Sequence, residues 1–343
     1  MVLRRKSRFV PLIGLGVAVV LALAGCSGGN GDAGAAGASS NETRTVTDVT
    51  GEKVELPVAP QRIVALDEPA TLNLLSLGIK PDVAFQAWKT VVPAKLIESL
   101  GIEVHQTADY YPKLEEVAAL HPDLIVISSD STVNDEVPDY ASITSTLRAP
   151  YSAQPADLAR AWGEYFGKPE RAKAVQEGLT KFAAEIASGQ SDPALSLSAL
   201  QSYGGSGDAS LYHMDAGNSL HSVIDGAGFD RPEPQNSRSA EGAEHGGWAP
   251  FSPERVSDHD ADIIAIMASP QYAPKGITGL PLFPSMKGRA VEVDGDFWSG
   301  GSLFYAYWVL CDLREFVGGK ITPGGANDVA ERWRAFTAMI EEA

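Results

Sequence analysis

The 343-residue chain is 44% hydrophobic and 21% charged, ordinary values for a globular protein, and it is long enough for two domains with separate cores. Its net charge is −17. The first 25 residues hold four basic residues and no acidic ones, leaving 23 basic against 44 acidic beyond them, a net near −21 that excludes a nucleic-acid partner.

Arg4, Arg5, Lys6 and Arg8 precede an apolar run from Phe9 to Ala22. The run is too short for a spanning helix, and residues 1–25 read as an export signal. It ends in Leu23-Ala24-Gly25-Cys26, which resembles the bacterial lipobox. That resemblance implies cleavage before Cys26, a diacylglycerol on its thiol, and a lipid-anchored place on the extracytoplasmic face of the cell membrane. Each buried CH₂ of such an anchor contributes about 0.8 kcal/mol. A plain secretory signal with a chance Cys is the alternative. Residues 26–42 are mostly Gly, Ala and Ser and are expected to be a flexible tether. With Cys26 acylated, Cys311 has no disulfide partner, and its place in the apolar stretch Leu303 to Val317 makes it a small buried hydrophobe.

Structure is expected from Thr43. Thr45 to Val49 and Lys53 to Leu56, around Thr50-Gly51, read as a hairpin. Strands follow at Arg62–Leu66, Pro81–Phe85, Glu103–His105 and Leu124–Ser128, with helices at Pro69–Leu77, Pro93–Leu100 and Lys113–Leu120 between them. Pro155–Phe166 is amphipathic and ends at Gly167. Pro169 opens a helix to about Ile186 with Val175, Leu179, Phe182 and Ile186 on one face, long enough to span a small domain. Strands are expected again at Ser196–Tyr203, Ser210–His213 and Ala290–Val293, with helices at Ser219–Gly226, Phe304–Val317 and Asp328–Glu342. Arg231 to Ala249 reads as a long polar loop, more often functional than idle at that length.

One phrase occurs twice. Glu115-Glu116-Val117 is followed, after five residues, by Asp123-Leu124-Ile125-Val126-Ile127. Glu254-Arg255-Val256 is followed, after five residues, by Asp262-Ile263-Ile264-Ala265-Ile266. Each copy has a helix-and-glycine phrase before it, Leu74 to Gly78 and Val223 to Gly228. Helices alternating with short apolar strands imply wound parallel sheets. The repeat implies two similar α/β, Rossmann-like lobes with mostly parallel sheets, one exposed carboxylate at the same place on each, and the long helix as a strut between them. The expected divisions are 43–167, 168–190 and 191–343.

Catalytic patterns are missing. There is no His-Glu-x-x-His, no phosphate loop and no Gly-x-Ser-x-Gly elbow, and Gly205-Ser206-Gly207 lacks the rest of a dinucleotide fingerprint. Asp258, His259, Asp260 and Asp262 are close in sequence but read as the solvated helix–strand connection of the second repeat rather than a metal cluster. Aromatic residues gather instead in expected loops: Trp88, Tyr110, Tyr111, Trp248, and Phe297-Trp298 beside Gly300-Gly301. In wound sheets ligands meet the loops at the carboxyl ends of the strands, which makes Trp88, Tyr110, Tyr111, Trp248 and Trp298 candidate ligand-binding residues. No metal is expected to be held by protein side chains directly, and no cofactor is called for.

With these features in place, the chain from about Thr43 onward resembles the substrate-binding lipoproteins of ABC importers for ferric siderophores, haem and cobalamin. The phrases that carry the likeness are Val46 to Gly51, Arg62 to Leu66, Leu114 to Ile127, Ser252 to Val256, and Trp298 leading to Asp312-Leu313-Arg314. The resemblance implies a helical-backbone fold that opens and closes little, a monomer, and a partner made of a permease dimer with its ATPase. It gives Glu115 and Glu254 a role, each pairing with arginines on one permease subunit; two Glu favoured only by a helix dipole are the bland alternative. A ferric siderophore of hydroxamate type is the favoured ligand, because few cations lie in the expected loops. Arg238 is the candidate donor to the iron-chelating oxygens. A haem carrier using Tyr110, Tyr111 or His245, a cobalamin carrier, and a lipid-anchored extracellular hydrolase are the alternatives.

Overall fold

The computed structural model describes residues 42–86, 90–107, 111–129, 137–203 and 210–343. The export signal, Cys26 and the tether lie outside these residues. A hairpin opens the described chain, β1 (Thr43–Thr47) against β2 (Lys53–Pro57), antiparallel with Val46 opposite Val54. Its turn is tied by Asp48, whose carboxylate accepts from the Thr50 amide at 2.9 Å and from the Glu52 amide at 3.1 Å.

The first lobe alternates β3 (Ile63–Ala65), α1 (Glu68–Ser76), β4 (Val83–Gln86), α2 (Val92–Ser99), β5 (Glu103–Gln106), α3 (Leu114–Ala118), β6 (Leu124–Ser129) and β7 (Thr146–Pro150). Its five strands are all parallel, in the order β5-β4-β3-β6-β7. Both faces are covered, so the strands are nearly continuous apolar runs. Ile63, Ala65, Leu124 and Val126 face the helices at the centre of the molecule. Val64, Leu66, Ile125 and Ile127 point the other way, onto Val117 and Tyr140. This period-two division is what parallel pleating requires.

Two helices follow, α4 (Pro155–Phe166) and α5 (Pro169–Ser188). Gly167 lies between them in the left-handed conformation at φ 61°, where a side chain would be strained. α5 is 20 residues long, about 30 Å, and buries Ala172, Val175, Leu179, Phe182 and Ile186.

The second lobe contains β8 (Leu197–Tyr203), β9 (Ser210–Met214), α6 (His221–Gly226), α7 (Ala240–Glu244), β10 (Trp248–Pro250), β11 (Ile263–Ala268), α8 (Lys275–Thr278), β12 (Arg289–Asp294), α9 (Gly295–Trp298), α10 (Leu303–Val317) and α11 (Val329–Glu342). Its sheet has the order β10-β9-β8-β11-β12, with β8, β11 and β12 parallel and β9 and β10 antiparallel. The stretch expected as one long polar loop thus holds α7 and the start of β10.

The two copies of the repeated phrase occupy equivalent places. Asp123 accepts from the Gln61 and Arg62 amides at 2.6 and 2.9 Å, and Asp262 accepts from the Ser196 amide at 2.8 Å. Each Asp therefore clamps the chain as it enters a neighbouring strand of its sheet.

A single apolar core runs from Ala65 and Leu124 through α1, α5 and α10 to Ala199 and Ile263. Asn73 of α1, fully buried, joins the lobes through its side-chain amide. It donates to the Gly301 carbonyl at 2.9 Å and accepts from the Leu303 amide at 3.0 Å.

The connection around His259 is a correction to the sequence reading. Its ring is buried, 4.6 Å centroid to centroid from His213 and 4.6 Å from Phe251, with Nδ1 at 3.3 Å from the Gln235 amide nitrogen. The Pro253–His259 turn is a 3₁₀ helix, and Val256 and His259 are its inward residues. Burial, then the neighbouring His213, pushes the His259 pKa down to about 3. The unfolded chain takes up this proton near pH 6.5 and the folded chain does not, so stability is complete above that pH and falls as the pH drops toward 3. Between about pH 7.5 and pH 5 the wild type should lose about 2 kcal/mol that His259→Phe does not lose. Urea unfolding of both proteins at both pH values checks this; parallel losses would remove the histidine from the account.

Candidate ligand-binding cleft

The first-lobe strands deliver polar groups at their carboxyl ends. Asp67, just after β3, caps α1: its carboxylate accepts from the Ala70 amide at 2.7 Å and from the Ser128 amide at 2.7 Å. Burial pushes its pKa up to about 7, against those hydrogen bonds. The next residue, Glu68, is 1% exposed and accepts from the Thr90 hydroxyl at 2.6 Å. Tyr151 follows β7, and its ring fills the space above Gly301, where a Cβ would lie 2.1 Å from ring carbon Cε2. Gly301 has φ 89°, so both the close approach and the backbone require glycine.

The second lobe faces this with a row of rings. Tyr272, after β11, lies 5.1 Å from Tyr203 at the end of β8; Tyr203 lies 5.8 Å from Tyr212 of β9; Tyr212 lies 5.5 Å from His245. Tyr203 is 41% exposed while Tyr272 is 8% exposed, so the row runs from solvent into the interior. Gln201 lies beneath it, buried, with Nε2 3.4 Å from the Tyr203 hydroxyl and Oε1 without a hydrogen-bond partner among the described residues. Rings of this kind offer rigid apolar area with polar tips.

Hydrogen bonds close the lobes onto each other on both sides. The Val91 amide donates to Asp296 at 3.1 Å, and the Gln154 side chain donates to the Asn218 carbonyl at 2.9 Å. Burial raises the pKa of Asp294 to about 7, with Asp296 adding to it, and burial also raises that of Asp296. Among the described residues, no group of three or more His, Cys, Asp or Glu side chains converges to hold a metal ion.

The six expected ligand-binding residues fare differently. Trp88 and Tyr110 lie outside the described residues. Tyr111 is half-buried and packs beside the Val64 cluster. Arg238 is exposed, its Nε donating to the Ala216 carbonyl at 3.2 Å, two residues from the Asn218 carbonyl that Gln154 reaches. Trp248 and Trp298 are buried, not exposed in loops as the sequence suggested. Trp248 is 6% exposed within β10 and belongs to the central core. Trp298 is fully buried in α9, its Nε1 donating to Asp312 at 2.9 Å, because a buried carboxylate there demands a donor. The sequence did not single out Tyr203, Tyr212, Tyr272, Tyr151 and Gln201, which line the candidate cleft. Tyr203 and Tyr212 flank the Gly-rich Gly204–Gly207 segment, the one local signal that could have pointed to them.

Glu115 and Glu254 are both exposed, each in the first turn of the short helix that precedes β6 or β11. They hold the same place in the two lobes.

Comparison with known proteins agrees with this architecture. The periplasmic binding protein family matches residues 63–288. A relative from Bacillus subtilis (strain 168), the probable siderophore-binding lipoprotein YfiY, is 24% identical over 331 residues, covering 90% of this chain and 98% of its own. The petrobactin-binding protein YclQ from Bacillus subtilis superposes with a TM-score of 0.64 at 15% identity, over 81% of this chain and 99% of its own. The FhuD protein from S. pseudintermedius superposes at 0.61 with 18% identity, over 82% and 100%. At these identities the solved structures speak for the fold. Two wound lobes, a long intervening helix and a family match over most of the folded chain lead to one conclusion: the chain belongs to the periplasmic binding protein family.

Proposed function

We propose that this protein is an extracytoplasmic, lipid-anchored substrate-binding protein. It captures a ferric siderophore, favoured as a hydroxamate, between its lobes and delivers it to the permease of an ABC importer for iron uptake. The observation that carries the reading is the row of rings from Tyr203 to Tyr272, open to solvent at one end and buried at the other. The relative YfiY, described as a probable siderophore-binding lipoprotein, and the siderophore-binding neighbours support the choice of ligand. In this reading Trp88, Tyr110, Tyr111 and Arg238 join the ring row around the ligand, and Cys26 carries the anchor. Residues 43–167 and 191–343 form the two lobes, and the helix within 168–190 joins them. Acidic groups outnumber basic ones among the described cleft residues, which suits a neutral or cationic complex better than a strongly anionic catecholate. His245 against Tyr212, at the exposed end of the row, makes a haem carrier the second reading.

Titration of protein fluorescence with ferric hydroxamates, ferric catecholates, haem and cobalamin tests the choice. Quenching by a ferric hydroxamate at submicromolar concentration, about 8 kcal/mol or more of binding free energy, is expected. Response to haem alone would favour the second reading, and no response to any ligand would overturn the carrier assignment.

A further inference from the structure

The inner end of the ring row leads to a set of groups that nothing above uses. Tyr272 packs against Gly295, the residue before Asp296, where a Cβ would lie 2.4 Å from its ring carbon Cδ2. Behind them lies Tyr305, in the first turn of α10, 1% exposed, its hydroxyl without a hydrogen-bond partner among the described residues. Its ring lies 5.3 Å from that of Phe297, the residue after Asp296, and burial holds its pKa well above the usual phenol range, with Glu68, Asp296, Tyr151 and Asp67 adding to it. Asp296 is 5% exposed; its carboxylate holds the Val91 amide at 3.1 Å and is also hydrogen-bonded by the Ser269 side chain, while Oδ1 has no partner among the described residues.

The chemistry of this floor is one-sided. Asp67 and Glu68 of the first lobe and Asp296 of the second all act on Tyr305, and Asp296 acts also on Asp294. Among the described residues, the charged groups acting on Tyr305 and on Asp294 are acids alone. A carboxylate or phosphate arm would meet repulsion from these carboxylates, with no cationic side chain acting there among the described residues to offset it. A bare metal ion would need a converging ligand set, and these oxygens do not converge. An ammonium group has three donors and no acceptor, and it reaches separated oxygens through hydrogen bonds rather than coordination.

We propose that Asp296 and Tyr305, flanked by Glu68, form a subsite for a primary ammonium group on the bound ferric complex. The inference rests on the carrier reading and deepens it. The iron-bearing part of the ligand lies against Tyr203 and Tyr212, and a cationic arm follows the rings past Tyr272 to the acidic floor. There the ammonium takes the free carboxylate oxygen of Asp296 and the Tyr305 oxygen, beside the Val91 contact. Charge-assisted bonds of this kind are about twice as strong as neutral ones.

Two probes test it: the ferric complex of a linear trihydroxamate with a free terminal amine, and the same complex with that amine acetylated. Their affinities for the mature chain are measured by fluorescence quenching near neutral pH. The amine complex should bind at least about tenfold more tightly, one charge-assisted hydrogen bond's worth. In Asp296→Asn, and separately in Tyr305→Phe, the ratio of the two affinities should fall toward one. Binding of the acetylated complex reports that each variant is folded. Equal affinities in the wild type, or a ratio that survives both substitutions, would overturn the subsite and leave the carrier reading in place. Failure of both complexes to bind the wild type would overturn the hydroxamate reading and this inference together.

Discussion

Cells carrying Glu115→Arg and Glu254→Arg together should take up no iron through this protein, while the purified double variant binds its ligand as the wild type does. Both carboxylates are exposed, and each stands in the first turn of the helix preceding the strand that lies fourth in its own lobe's sheet. Neither lies among the rings of the cleft. In the proposed docking each meets arginines of one permease subunit, so reversal replaces attraction by like-charge contact, at a cost of several kcal/mol per site. Two such sites weaken docking by about a thousandfold or more, since each 1.4 kcal/mol is a factor of ten. The single reversals should leave intermediate transport. Measurement of radioactive iron uptake beside fluorescence titration of the same variants separates the two functions. Normal uptake by the double variant would end the docking role.

Asp312→Leu should destabilise the fold by about 3–5 kcal/mol, the range for removing one partner of a buried charge pair. Asp312 is fully buried in α10 and accepts three bonds: from Trp298 Nε1 at 2.9 Å, from the Gly324 amide at 2.7 Å and from Arg332 at 2.8 Å. Burial pushes its carboxyl pKa up, and Arg332 is the strongest influence pulling it back. Leucine would strand three donors, including a guanidinium that also lies over the Trp308 ring at 4.2 Å. Asp312→Asn keeps an acceptor and should lose about 1–3 kcal/mol. Urea unfolding of the two variants against the wild type gives the ranking; a loss below about 1 kcal/mol for the leucine variant would show that the network contributes little.

The strands and helices of both lobes were largely legible because parallel strands covered on both faces are apolar runs bounded by Pro, Gly and Asp. Leu124–Ser128 and Pro169 to about Ile186 were read within two residues of β6 and α5. β7 was missed: Thr-Leu-Arg-Ala-Pro is five residues, carries a charge and ends in proline, as an edge strand tolerates. The cleft was less legible. Trp298 sits beside two glycines and reads as a loop aromatic, and the acceptor that draws it inward is Asp312, on the following helix. The Tyr203, Tyr212, Tyr272 and His245 row is assembled by sheet order from four separate segments, which no local pattern announces. The repeated Glu residues were legible by their periodicity, while the clamping role of Asp123 and Asp262 needed the strand pairing to be seen.

The apolar core that passes unbroken from one sheet to the other, pinned by the Asn73 amide, makes the two halves a single cooperative unit. Neither half could be cut away without baring the helices they share, so melting should proceed in one step. In the proposed carrier role, a guest arriving at the rings meets walls that the shared core holds together. Little of its binding free energy is then spent on ordering the host, and the lifetime of the complex depends on the contacts themselves rather than on a wide swing of the halves.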